Sequence, residues 1–157
     1  MSVWAFQEIF NSSLLLGLSP ELAIRVPTVA GFAAAKMAAW LDRSEWREVK
    51  DAADLALIAY WYAESEDVQA RLYATSGGHE TLLAEELDVP RAAARLLGDD
   101  LAATIGPDRT AELLDRWPGD IDMLVGSFSL RAGPDWPGEK DRRRDIIDAL
   151  THGLRGG

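Results

Sequence analysis

The sequence has no cysteine, no long apolar run and no excess of positive charge, and each absence excludes a class of protein. Without cysteine, the 157-residue chain has no disulfide, no thiolate metal site and no thiol nucleophile. No run reaches the roughly 18 apolar residues that a membrane span needs. The net charge of −10 argues against broad, non-specific binding to nucleic acid or to anionic membranes.

The composition predicts a globular protein of the cytoplasm. Nearly half of the residues, 48%, are hydrophobic, and the length suits a single domain, 1–157, with a core of its own. Residues 1–8 carry no basic region ahead of an apolar stretch, which is not typical of a secretory signal. We therefore expect a cytoplasmic location and no membrane association.

The order of apolar and turn-forming residues predicts a mainly α-helical bundle with a small N-terminal β-hairpin. Residues 1–26 predict a short helix from Val3 to Asn11 and then two strands, 13–18 and 22–26. Two strands alone are marginally stable, so this hairpin suggests the edge of a larger sheet supplied by something else. Residues 27–117 predict a helical core, 118–138 a loop-rich segment with many prolines and glycines, and 139–157 a C-terminal helix.

Within the helical core, Thr28 is the predicted N-cap of a first helix that runs to about residue 43. The second helix is expected at 47–63, and because it is wholly apolar beyond Asp54 we expect protein on all its sides. A third helix should follow Ser65 and be closed by Gly77 and Gly78. Further helices are predicted at 80–87, 91–105 and 109–117.

Lys36 is the one charged residue in the apolar stretch 29–41 of the first core helix. Removing its ammonium group from water costs several kcal/mol unless an anion meets it. Asp51 and Asp54 lie three residues apart on the next helix and so share one face. If the two helices form an antiparallel hairpin, that face meets Lys36. The result is either a clamp that fixes how the helices cross or a functional site.

A resemblance to a known family rests on residues spaced along these two helices. They are Val26, Pro27, Lys36, Arg43, Lys50, Asp51, Asp54 and Leu55. Their spacing resembles the second half of the AbiEii-like nucleotidyltransferases, a family of type IV toxins and abortive-infection proteins. The match covers about 14–105 and is strongest over 24–62.

The resemblance implies a role for each charged residue of the pair of helices. Lys36 would contact the nucleoside triphosphate, and Asp51 would orient or deprotonate the attacking hydroxyl. Arg43 and Asp54 would brace this pair, so that Lys36 and Arg43 form the substrate-binding side and Asp51 and Asp54 the catalytic side. A complete family member would use magnesium to transfer a nucleotide onto an acceptor such as tRNA.

The chain departs from the family where the metal ions bind. The family's catalytic core begins with Gly-Ser, followed about ten residues later by Asp-x-Asp on a strand that holds magnesium. No such module precedes Ile24, so the sequence looks like a fragment, a split gene product or a relic. We expect no nucleotide transfer by this chain alone, because the triphosphate charge would not be neutralised.

Asp120 and Asp122 repeat the Asp-x-Asp pattern and are the candidate metal ligands. Gly126-Ser127 follows them, however, whereas the family's Gly-Ser comes first. A helix N-cap or a turn is the alternative interpretation of these two residues. His79 and His152 have no second histidine at metal-ligand spacing and are expected at the surface.

The partners implied by the family are a second chain that carries the missing metal-binding half, or an antitoxin. RNA follows from the resemblance only, because the basic cluster at 140–144 is interleaved with acids, which favours a solvated helix face. The alternative function is a non-enzymatic interaction domain in which Lys36 forms a structural ion pair with Asp51 and Asp54. A homodimer that buries the free strand edge and exposed tryptophans is compatible with either function.

Overall fold

A computed structural model describes residues 4–156, and over that range the chain is mainly helical with one antiparallel hairpin near its N-terminus. The predicted fold class is therefore confirmed. The elements, in chain order, are α1 (Phe6–Asn11), β1 (Leu14–Ser19), β2 (Leu22–Val26), α2 (Val29–Ser44), α3 (Lys50–Glu64), α4 (Glu66–Ala74), α5 (Ser76–Ala84), α6 (Val89–Leu114), α7 (Ile121–Ser127) and α8 (Lys140–Leu154).

The hairpin pairs β1 with β2 so that Leu14 lies opposite Val26 and Leu16 opposite Ile24, with a register shift between Gly17 and Ser19. All residues of both strands are exposed. Among residues 4–156 no third strand extends this sheet. The two predicted strands are confirmed, and Val3, the predicted start of α1, lies outside the described residues.

Helices α2 and α3 form the helical hairpin that the sequence predicts. Thr28 caps α2, because its hydroxyl oxygen accepts a hydrogen bond from the Gly31 amide at 3.1 Å. Helix α3 begins at Lys50, later than predicted, since the connection contains Arg47 in the left-handed conformation, with φ of 59°. The buried faces of both helices are rich in alanine, which lets the two backbones approach closely.

The expectation that protein surrounds α3 is wrong. Its Leu55 and Ala59 side is buried, but Leu57 is 46% exposed and Trp61 is 64% exposed. Helix α3 packs against α2 and α6, and these neighbours cover only one side of it. The apolar sequence on the other side therefore forms surface.

Gly77 and Gly78 do not close the third core helix as predicted. Helix α4 ends at Ala74, and both glycines lie in the first turn of α5, which Thr75 caps by accepting a hydrogen bond from the Gly78 amide at 3.0 Å. A Cβ at residue 78 would lie 2.0 Å from the Arg71 carbonyl oxygen. Glycine is needed there because α5 folds back tightly onto α4, not because a helix ends.

Helix α6 joins the two helices predicted at 91–105 and 109–117 across a break at Gly106, where φ is 80°. Helix α8 packs along α6. It buries the apolar stripe predicted for the C-terminal helix, which includes Ile146, Leu150 and Leu154. The segment 118–138, predicted as loop-rich, contains the short helix α7. Within residues 4–156 no helix is both long and apolar enough to cross a membrane.

Candidate functional site

Lys36 meets both predicted carboxylates across α2 and α3. Its Nζ lies 3.2 Å from Asp51 Oδ1 and 2.6 Å from Asp54 Oδ2. Asp54 begins the second turn of α3, and the three-residue spacing of the two aspartates places both on the face that meets α2. The geometric part of the prediction is therefore confirmed, and two of the three Lys36 donors are in use.

Arg43 completes the cluster on Asp51. Its Nη1 lies 3.0 Å from Asp51 Oδ2, and it lies about two turns from Lys36 on the same face of α2. Asp51 is 0% exposed, and two cations share its charge. A buried carboxylate held in this way is out of reach of a substrate hydroxyl in this conformation. The predicted catalytic role of Asp51 stays a prediction.

Exposure differs among the members of the cluster and decides which atoms are available. The side chains of Lys36, Asp54 and Arg43 are 21%, 35% and 43% exposed, respectively. A ligand could therefore approach the Lys36 ammonium, the outer Asp54 oxygen and the Arg43 guanidinium. Asp51 contacts the two cations from the buried side of the cluster. The cluster carries two positive and two negative charges, so it is close to neutral.

Lys36 stays charged in this environment. Burial lowers its pKa, but the hydrogen bonds to Asp54 and Asp51 outweigh burial, so the pKa lies above its usual value. Phe32, one turn earlier on α2, places its ring centroid 5.5 Å from Nζ, a distance at which the ring face attracts a cation. Lys36 is thus a fixed positive charge at the edge of an apolar surface.

The predicted metal candidates do not join this cluster. Asp120 caps α7, accepting a hydrogen bond from the Met123 amide at 3.0 Å, and Asp122 Oδ1 lies 2.9 Å from Arg144 Nη2. Among residues 4–156 no group of three histidine, cysteine or acidic side chains could hold a metal ion. The described residues thus do not fit the magnesium site of the family, and His79 and His152 are exposed as expected.

The basic cluster of α8 is largely engaged within the chain. Arg142 pairs with Asp88, Arg143 donates to the Gly138 carbonyl at 2.9 Å, and Arg144 pairs with Asp122. These contacts fit the interpretation of a solvated helix face with internal ion pairs. RNA binding by this cluster stays a prediction of the resemblance alone.

A groove of about 1030 Å³ lies at the foot of the hairpin, and the sequence did not indicate it. Apolar side chains from five elements, β2, α2, α3, α4 and α6, line it, among them Val26, Phe32, Leu57 and Trp61. At its polar end, Arg71 forms two hydrogen bonds to Asp100, with Nη1 2.7 Å from Oδ2 and Nη2 2.9 Å from Oδ1.

Tyr62 also donates a hydrogen bond to Asp100 at this end of the groove. Burial and that hydrogen bond to Asp100 both raise the pKa of Tyr62, so its hydroxyl stays protonated. The sequence does not predict this group of Tyr62, Arg71 and Asp100, because Arg71 and Asp100 lie on different helices, 29 residues apart.

Glu85 is a second buried carboxylate that the sequence analysis missed. It is 2% exposed, and Arg91 and Arg95 lie 3.0 Å and 3.2 Å from its two oxygens. Arg91 and Arg95 are four residues apart on α6, so they present two cations on one face. That spacing is the feature of the sequence that could have indicated a buried carboxylate partner. These contacts tie the end of α5 to α6.

Comparisons of the chain with protein-family models, with curated proteins and with solved structures found no match.

Proposed function

We propose that this chain is the helical half of a nucleotidyltransferase resembling the AbiEii family, and that Lys36 contacts the triphosphate of its nucleotide. One observation carries the proposal. The Lys36 ammonium, partly exposed and still holding a free donor, is fixed between Asp51 and Asp54 with Arg43 on the same Asp51, which is the set of contacts that the resemblance implies.

The exposure of the cluster assigns the roles. Lys36 and Arg43 would address phosphate oxygens, Asp51 would position both cations from its buried site, and Asp54 would be the carboxylate nearest an acceptor hydroxyl. The fixed geometry matters, because phosphoryl-group chemistry depends mainly on positioning and charge stabilisation.

The cluster alone would bind a triphosphate weakly and would not transfer a nucleotide. Its two cations are already balanced by two carboxylates, so little positive charge remains for the phosphates. When bound, magnesium would supply that charge, and its ligands would have to come from outside the described residues 4–156, on this or another polypeptide. Incubating the chain with magnesium, nucleoside triphosphates and tRNA should give no labelled tRNA, and robust transfer would refute this part.

Lysine acylation with and without inorganic triphosphate tests the contact in the unaltered protein. The sequence contains three lysines, Lys36, Lys50 and Lys140, so each serves as a reference for the others. We expect triphosphate to slow the labelling of Lys36, read by mass spectrometry, at least threefold, and to leave Lys50 and Lys140 unchanged. Equal protection of all three lysines, or of none, would contradict the proposed contact.

A second function is a non-enzymatic interaction or assembly domain in which Lys36 is a structural ion pair with Asp51 and Asp54. The complete burial of Asp51 favours it, since a carboxylate with both oxygens bonded to cations already fixes the crossing of α2 and α3. This function predicts that triphosphate leaves the labelling of Lys36 unchanged, so the same experiment separates the two.

A further inference from the structure

We propose that the hairpin β1–β2 is an exchange arm that lies in the groove of a second copy of this chain, so that two chains form a two-fold symmetric dimer. The proposal is independent of whether Lys36 contacts a nucleotide. It rests on the exposure of the arm, the shape of the groove and the short connections between them.

The arm has a large apolar surface that nothing in residues 4–156 covers. Leu16 and Ile24, which face each other across the strands, are 51% and 42% exposed. The edges of the two strands carry neither lysine nor an internal proline, which are the usual protection of a free edge. The large apolar residues of the arm are Leu14, Leu15, Leu16, Leu18, Leu22, Ile24 and Val26.

The groove has the same chemical character as the arm. Val29, Phe32, Leu57 and Trp61 line it with exposures of 44–64%. Together, arm and groove expose the full surface of more than five large side chains. Burying both would cover an apolar area of the order of the roughly 800 Å² that one partner contributes to a standard interface.

The arm borders the groove of its own chain through Val26 at its base, but its strands do not lie in that groove. Only Pro27 and Thr28 separate β2 from α2, and only Ser12 and Ser13 separate α1 from β1. Pro27 has a fixed φ, and Thr28 is committed as the cap of α2, so this connection lacks the freedom to fold back. An element held away from a matching groove by short hinges is suited to exchange between identical chains.

The charges of the arm and the groove do not prevent their contact. On the arm, Arg25 is the one charged residue of the two strands and Glu21 in the turn balances it. The rim of the groove carries Asp67, with Glu64 and Glu66 beside it on the chain, and the ion pair of Arg71 with Asp100. The arm is thus neutral in a chain with a net charge of −10, so an acidic second copy does not repel it by charge. An anionic lipid surface, by contrast, would be repelled by the acidic rim.

Light scattering coupled to gel filtration tests the dimer, with an expected mass of twice 17.2 kDa. Leu16→Lys combined with Ile24→Glu places opposite charges across the strands, which preserves the pairing while making the arm polar. We expect this variant to raise the dissociation constant of the dimer at least a hundredfold. The matched control, Leu83→Lys with Leu87→Glu, changes two apolar residues away from the arm that are more exposed than Leu16 and Ile24, and it should leave the dissociation constant unchanged.

Cross-linking tests the exchange itself. Because the sequence contains no cysteine, any disulfide must join the introduced cysteines. After equal amounts of the Ile24→Cys and Trp61→Cys proteins are mixed and oxidised, we expect a disulfide-linked heterodimer. Leu83→Cys mixed with Trp61→Cys should give none. A monomer at all protein concentrations, a dimer that survives the arm variant, or equal cross-linking of the control would each overturn the proposal. The lysine-acylation experiment tests the contact of Lys36 without reference to the dimer, so this proposal and the proposed function fail separately.

Discussion

Lys36 Nζ lies 3.2 Å from Asp51 Oδ1, which joins a partly exposed cation on α2 to a fully buried carboxylate on α3. The two residues are unequal in this contact. Lys36 is partly exposed and also pairs with Asp54, whereas Asp51 is buried and has Lys36 and Arg43 as its two cationic partners. The stability of the helical hairpin should therefore be more sensitive to the loss of a partner of Asp51 than to the loss of Asp54.

Replacing Lys36 by methionine should destabilise the protein. The change keeps most of the side-chain volume but leaves Asp51 with Arg43 alone, and removing one partner of a buried hydrogen-bonded acceptor costs about 1–3 kcal/mol. Urea denaturation followed by circular dichroism measures the free energy of unfolding. Lys50→Met is the matched control, because Lys50 is exposed at the start of the same hairpin's second helix, and it should change this free energy little.

The double variant Lys36→Met with Asp51→Asn separates the cost of an uncompensated charge from the loss of packing. Without the Asp51 charge, the loss of Lys36 should be much less destabilising, so the two changes should be far from additive. Additive effects would show that the contact between Lys36 and Asp51 contributes little to stability.

The contact between Lys36 and the two aspartates could be predicted because it follows from local chemistry. A lysine inside an apolar helix needs an anion, and two aspartates three residues apart on the neighbouring helix are the nearest suitable groups. The hairpin and the cap at Thr28 were predictable for the same reason, since the turn residues that bound two short apolar runs and the capping residue are encoded within a few residues.

Features that depend on distant parts of the chain were not predictable. The apolar sequence of α3 does not say which side receives a neighbour, so the exposure of Leu57 and Trp61 was missed. Arg71 and Asp100 come together only because α4 packs against α6. In the sequence, Gly78 indicates a turn. In the structure it allows α5 to approach α4 closely, and that role depends on packing between helices, which the sequence does not show.

Gly98 on α6 and Gly153 on α8 should not tolerate alanine. A Cβ at residue 98 would lie 2.2 Å from the Leu150 carbonyl oxygen, and one at residue 153 would lie 1.9 Å from the Arg95 carbonyl oxygen. Backbone atoms leave no room for adjustment, so each substitution would push the two helices apart and cost about 1–3 kcal/mol or more.

Thermal unfolding of the Gly98→Ala and Gly153→Ala proteins measures this cost as a lowered melting temperature. Gly77→Ala is the control, because a Cβ there meets nothing within 4 Å and alanine is the better helix former. An unchanged melting temperature for the first two variants would mean that α6 and α8 are not in such close contact.

Asp100 and Asp99 are neighbours whose effects on stability should change with pH in opposite directions. Burial raises the pKa of Asp100, but the hydrogen bonds from Arg71 and Tyr62 outweigh it, and the pKa lies below the usual value. Asp100 therefore stabilises the fold above its unfolded pKa, and this contribution is lost as the pH falls through the folded pKa. Asp100→Asn should destabilise the protein at pH 7. The difference in free energy of unfolding between this variant and the unaltered protein should shrink below about pH 4.

Asp99 provides the matched comparison one residue earlier on α6. Burial raises its pKa by more than the nearby charge of Arg95 lowers it, so the folded protein holds this proton more tightly than the unfolded chain does. The Asp99 carboxylate is thus destabilising once the pH rises above its unfolded pKa, and Asp99→Asn should stabilise the protein at pH 7 but not at pH 3. Urea denaturation of both variants across this range checks the two signs, and parallel pH profiles for the two variants would contradict the assignment, because an exposed pair of carboxylates would behave alike.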